Sequence, residues 1–296
     1  MACELDAAAC VETLISNGAD LKAEDGQLRT PLLLACENAA VRSAELLIRK
    51  GAPIASTDKN DMTPLHWLAF HGDQSLVSAA IDVGANIDAV NYTMQSPLWQ
   101  AVTKRQLEVA LLLIDKGASV TQVDDEKRTM LHLAAQFGGG LDDCAETLTL
   151  IRAMLQKKPD VNARDREKRT PLHWACGKNA APIVSALIAA GAKVDARDWA
   201  EHTPLHWACP SDAAESATAL LMAGARVDTT DRDKRTPLHW AADKAAERCL
   251  RLLLEEAHAE VCHHLLPISD FGPHADEEIR GCGRGQVVKW EGGAKI

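Results

Sequence analysis

Large rings are scarce in this chain: one tyrosine, three phenylalanines and seven tryptophans make aromatics only 4% of 296 residues. A core built on stacked rings is excluded, whereas the plentiful alanine suits closely packed helices. No apolar run is long enough to span a bilayer. The longest, AAPIVSALIAAGA at residues 180–192, reads as a packed helix. The opening MACELDAAAC carries Glu4 and Asp6 where a secretory leader would be basic and then apolar. An excess of positive charge is also missing; the net of −10 argues against wholesale nucleic-acid binding. The motifs G-x-S-x-G, H-E-x-x-H, C-x-x-C and Walker A do not occur. GCGRG (281–285) lacks the strand before and helix after that a phosphate loop needs. No catalytic residue, cofactor site or metal site is expected, and the chain does not read as an enzyme.

What is present is a globular composition, 47% hydrophobic and 25% charged, organised as a repeat. REKRTPLHWA (166–175) returns as RDKRTPLHWA (232–241), with AEHTPLHWA starting at Ala200 between them. In-phase starts lie at Thr30, Thr63, Ser96, Thr129, Thr170, Thr203 and Thr236. The spacing is 33 residues except after Thr129, where it is 41. Thr or Ser caps a helix by accepting from an orphan N–H, and proline next is the favoured first helical residue. A polar break such as HGDQ (71–74) precedes a second helix. Gly51, Gly84, Gly117, Gly191 and Gly224 follow it as left-handed caps, with Gly18 in the same phase. About a dozen Asp-bearing residues then suffice for a tight hairpin. A two-helix unit this short cannot bury its apolar face alone, so the copies must stack.

The T-P-L-H-x-A pattern at this period resembles the ankyrin repeat family. The resemblance covers residues 1–262 and implies an all-α repeat solenoid, stacked helix pairs with short β-hairpin fingers; residues 263–296 read as a flexible tail. Two departures stand out. Where the family usually has a hairpin glycine, this chain has Leu28, Asp61, Met94, Lys127, Lys168, Glu201 and Lys234. It also begins inside a unit, a natural cap or a truncated first repeat. Ala257 stands where the last glycine belongs, so the last helix is expected to run on towards His264.

His66, His132, His173, His206 and His239 recur in register. The reading favoured over a row of metal ligands is that each bridges its own turn and the next unit by hydrogen bonds. Trp67, Trp174, Trp207 and Trp240 follow four of them and are read as seam fillers rather than a binding stripe. Cys36, Cys176 and Cys209 share one repeat position and read as small buried apolar groups. Nine cysteines in a chain too large to need disulfides fit a reducing compartment, cytoplasmic or nuclear. Cys262, His263, His264, His274 and Cys282 match no closed zinc-site spacing.

The resemblance implies that partners meet the hairpin tips and the two residues closing each first helix. Phe70 and Phe137 occupy closing positions and Tyr92 and Trp199 occupy tips, either as an apolar patch over units two to four or folded back on neighbours. Residues 160–236 hold 11 basic and 11 acidic side chains, so the rest of the chain carries the −10. Within that stretch Arg166, Lys168, Arg169, Arg232, Lys234 and Arg235 make basic tips, with Lys178, and Lys244 beyond the stretch, at helix-closing positions. That edge either recognises acidic or phosphorylated segments or is a solvated face with internal ion pairs. Asn162 resembles an asparagine that hydroxylases modify in some ankyrin repeats, though hairpin bonding is its ordinary role. The eight extra residues near 139–146 should lie between two helices. The expected function is a monomeric, non-catalytic interaction scaffold or adaptor, binding a protein or peptide on its concave face and fingers without membrane insertion. The alternative is the regulatory ankyrin part of a larger enzyme or channel, or of a ubiquitin-ligase adaptor.

Overall fold

The computed structural model describes residues 2, 3, 5–138 and 143–265. The chain divides into two compact units, Met1–Leu252 and Leu253–Ile296. The first is built from helix pairs: a lone α1 (Ala8–Ser16), then α2 (Pro31–Glu37) with α3 (Val41–Arg49), α4 (Pro64–His71) with α5 (Gln74–Asp82), and α6 (Pro97–Thr103) with α7 (Leu107–Asp115). They continue as α8 (Met130–Phe137) with α9 (Asp143–Gln156), α10 (Pro171–Gly177) with α11 (Ala181–Ala189), and α12 (Pro204–Ala208), extended by a 3₁₀ turn at Cys209–Ser211, with α13 (Ala214–Met222). α14 (Pro237–Asp243) and α15 (Glu247–Leu265) complete the series. α15 crosses the unit boundary, and in the second unit it is the described structure. It runs one residue past His264, as the missing glycine suggested. The remaining tail, with His274 and Cys282, and the side chains of Cys262, His263 and His264 lie outside the described residues.

Each first helix packs on the first helix of the next unit from α2 to α14, and each second helix on the next second helix from α1 to α13. α1 therefore belongs to the second-helix layer, as a chain starting inside a unit requires. The core between the layers repeats with the sequence. Leu32, Leu65, Leu98, Leu172 and Leu205 are wholly buried in the first helices, and Leu113, Leu187 and Leu220 in the second. Cys36, Cys176 and Cys209 sit in the same interior, and burial pushes the Cys36 and Cys176 thiols well above their usual range. Among the described residues no helix is long and apolar enough to cross a membrane.

The local signals act as their chemistry dictates. The hydroxyls of Thr30, Thr63 and Ser96 accept from the third helical N–H of their helices. Gly51, Gly84, Gly117, Gly191 and Gly224 adopt φ between 77° and 98°, the left-handed turn that ends a helix. The 41-residue unit uses Lys158 there, at φ 54°. Of its extra residues, those from Asp143 onward are helical and lengthen α9, rather than lying in a connection as expected; 139–142 are outside the described residues.

The fingers differ from the expected β-hairpins. Among the described residues they form no strand, and one isolated bridge pairs Val123 with Thr129. The seven residues at the usual glycine position, Leu28, Asp61, Met94, Lys127, Lys168, Glu201 and Lys234, all take φ of 57–65°. The backbone is that of the family turn, held without glycine. A left-handed L-residue costs about 1–2 kcal/mol, partly offset by glycine's greater unfolded-state entropy of about 0.5–1 kcal/mol. Lys127→Gly is therefore expected to stabilise the array by up to about 1 kcal/mol, and Lys127→Val to destabilise it. Urea midpoints check both; a lower midpoint for the glycine variant would contradict the turn geometry.

Candidate functional site

Each finger is organised by one side chain. Asp25, Asp58, Asn91, Asp124, Asp165, Asp198 and Asp231 occupy the same position. Each donates its N–H to the carbonyl four residues on, at 2.9–3.1 Å. In every case Oδ1 also accepts the N–H of that later residue, at 2.8–3.0 Å. The turn needs no strand because the side chain takes the N–H groups a ladder would use. Successive fingers are joined by their backbones. Tyr92 donates to the Asn60 carbonyl at 3.2 Å, Arg166 to Glu126 at 3.0 Å, Trp199 to Glu167 at 2.8 Å and Arg232 to Ala200 at 3.1 Å. These four side chains thus stand at one repeated position on the outer edge, all exposed.

The second oxygen of the tip carboxylate points inward. The indole N–H of Trp67, Trp174, Trp207 and Trp240 donates to Oδ2 of Asp58, Asp165, Asp198 and Asp231, at 2.9–3.3 Å. The residue closing the turn adds a cation: Arg128 lies 2.7 Å from Asp124, Arg169 2.7 Å from Asp165 and Arg235 3.3 Å from Asp231. Beside Asp198 the same position holds His202, its Nδ1 3.2 Å from the carboxylate. Burial alone would raise the Asp198 carboxyl; the bonds from His202 and the Trp207 indole outweigh it and hold it at about 2.

The in-register histidines tie unit to unit. Nδ1 of His66, His132, His173, His206 and His239 accepts the backbone N–H of the capping threonine at 3.0–3.2 Å, closing a reciprocal capping box. With Nδ1 as acceptor the proton sits on Nε2. From there His66, His132, His173 and His206 donate to the carbonyls of Gln95, Arg169, His202 and Arg235 in the next finger, at 2.9–3.1 Å. Burial pushes all four imidazoles down, His173 and His206 to about 4. His239 is exposed, with no such bond to a following finger among the described residues. Asn162 also bridges units, donating to the Gly191 carbonyl at 3.1 Å and accepting from the Lys193 N–H at 2.8 Å.

The sequence-predicted partner residues fall into distinct settings. Tyr92 and Trp199 are 68% and 54% exposed, and the Arg232 guanidinium lies 4.0 Å from the centre of the Trp199 ring. Phe70 is half-buried, edge-on to Trp67 at 5.7 Å, with the Lys104 ammonium 4.3 Å over it. Phe137 is half-buried and lines a small cavity with Val102, Leu107 and Leu150. Arg169 and Arg235 pair with their own tip aspartates and cover Trp174 at 4.5 Å and Trp240 at 4.3 Å. Arg166 is exposed, 3.4 Å from Glu126. Lys168 stands exposed on its turn and Lys178 at the end of α10.

One feature was not read from the sequence. An open groove of about 360 Å³ is walled by Trp174, Trp207 and Trp240, with His202, His206 and Lys178 around it. Its floor is small because the helix-closing positions there are Gly177, Pro210 and Ser211. A Cβ on Gly177 would sit 3.0 Å from the Trp207 ring. The signal was available as two consecutive units with small closing residues beside a repeated tryptophan.

A family model for ankyrin repeats, in three copies, matches residues 1–91, 32–124, 67–151, 144–231 and 200–264. The chain belongs to the ankyrin repeat family. Among curated relatives, it is 32% identical over 117 residues to transient receptor potential cation channel subfamily A member 1 of Drosophila melanogaster, covering 40% of this chain and 10% of the relative. The Homo sapiens protein of that name is 33% identical over 113 residues, covering 38% and 10%. The ankyrin repeat, SAM and basic leucine zipper domain-containing protein 1 of Dasypus novemcinctus is 30% identical over 121 residues, covering 41% and 25%. The match thus spans a quarter or less of these relatives' own length.

The ankyrin array carries a pH dependence set by its histidines. Their folded-state values lie below the ordinary 6.5, so the folded state prefers the neutral ring. The stability this confers is complete above about pH 6.5 and is lost as pH falls towards 4. Thermal melts between pH 7.5 and 4 should show a falling midpoint, and the fall should be shallower in His173→Gln. A flat profile would contradict the buried neutral imidazoles.

Proposed function

We propose that this ankyrin array is a non-catalytic scaffold or adaptor that binds a partner protein or peptide across its first helices and fingers, engaging an acidic or phosphorylated segment. The observation that carries this reading is the orientation of charge at fingers five to seven. Asp165, Asp198 and Asp231 are buried, their oxygens occupied by backbone and indole donors. Lys168, Arg232 and Lys234 are exposed and have no carboxylate partner among the described residues. The tips therefore present Lys168, Arg232 and Lys234 outward beside the exposed Glu167 and Asp233, and Arg forks and Lys ammonium groups recognise carboxylates and phosphates. Rigid stacked units hold this pattern in place, so little ordering cost falls on the array. The chain acts as a monomer in this reading, and its free cysteines fit a reducing compartment, cytoplasmic or nuclear.

The test uses a fluorescein-labelled glutamate-rich peptide and its phosphoserine version, followed by anisotropy at low salt. The triple variant Lys168→Glu, Arg232→Glu, Lys234→Glu should weaken binding by tenfold or more with an unchanged melting temperature, and salt should weaken the native protein's binding. Equal affinity of native and triple variant would remove the basic fingers from the function.

A further inference from the structure

Trp67, Trp174 and Trp207 hold one repeat position in units two, five and six, but their surroundings differ. In unit two the helix-closing residues Phe70 and His71 pack on Trp67, edge-on at 5.7 Å and stacked at 6.5 Å. In units five and six those positions hold Gly177 with Lys178 and Pro210 with Ser211. No side-chain ring covers the indoles from there, and the groove of about 360 Å³ opens instead. A cavity of about 150 Å³ already takes a benzene ring, so a whole aromatic side chain fits.

The charges define what accompanies that ring. No carboxylate lines the groove, while Lys178 does and has no ion-pair partner among the described residues. The tip carboxylates nearby are turned away onto the indole N–H groups. Arg169 and Arg235 already lie over Trp174 and Trp240, so a cationic guest would find those ring faces taken and would meet the Lys178 ammonium. We infer that the groove receives an aromatic side chain from an extended partner segment whose flanking residues are acidic, the ring taking against Trp174 and Trp207 the place that Phe70 takes against Trp67. The carboxylates flanking the ring meet Lys178 and the free cations of the fingers. The inference rests on the partner-binding reading above and deepens it: a buried aromatic anchor supplies most of the affinity, and the charges supply orientation.

The experiment titrates the protein against fluorescein-labelled Gly-Asp-Glu-Phe-Asp-Glu-Gly, the same peptide with Ala for Phe, and a version with Lys for every acid. The Phe peptide should saturate, the Ala peptide should bind at least tenfold more weakly, and the Lys version should not bind. Pro210→Phe, which supplies a ring from the register of Phe70, should lose tenfold or more for the Phe peptide while still binding the glutamate and phosphoserine probe at the fingers. Lys178→Glu leaves the groove's shape intact and should weaken the Phe peptide severalfold, so the inference remains testable should Pro210→Phe misfold. Equal binding of the Phe and Ala peptides would overturn it. So would tight binding of the Lys version, or unchanged affinity in folded Pro210→Phe or Lys178→Glu. The finger reading would survive each of these results; it fails separately, through the triple charge reversal.

Discussion

The buried imidazole between consecutive units is the bond on which the stack depends. It accepts from the backbone of its own helix start and donates to a carbonyl of the next finger, so one neutral side chain satisfies two groups that stacking would otherwise strand. Because the ring must stay neutral and keep its proton on Nε2, it is unavailable as a metal ligand or a base. Unit three shows that apolar packing can replace the bond. Its equivalent residue is Trp99, 3% exposed, with the Arg128 guanidinium 5.9 Å from its ring.

The tip aspartate performs the corresponding task in the finger. In units five and seven its two oxygens hold the turn, the tryptophan and the closing arginine together, and in every finger Oδ1 braces a turn that carries Lys, Met, Leu or an acid where glycine would be least strained. A functional consequence follows from the same bonds. The tip carboxylates Asp165, Asp198 and Asp231 are drawn into the scaffold while Lys168, Arg232 and Lys234 face outward, so charge counted along the chain and charge seen by a partner differ at this edge.

Against that fixed framework, variation is concentrated at the helix-closing positions and at the tip position held by Tyr92, Arg166, Trp199 and Arg232. At the closing positions a phenylalanine covers a scaffold tryptophan in unit two, while glycine and proline uncover the same wall in units five and six. Scaffold residues thereby become binding surface without changing identity. Read as seam fillers, Trp174, Trp207 and Trp240 do anchor their fingers through the indole N–H, and the groove adds a second use for their faces.

The sequence by itself determined the unit, the starts of its first helices, the left-handed glycines and the bridging histidines, because each depends on contacts within a few residues or on a neighbour of similar sequence. Periodicity turns those inter-unit contacts into local information. The way the tip carboxylates face, the half-burial of Phe70 and Phe137, and the groove were decided by tertiary structure. Each is set by which side chains meet around a finger or a helix end, where the size and charge of one residue decide whether another is covered or turned inward.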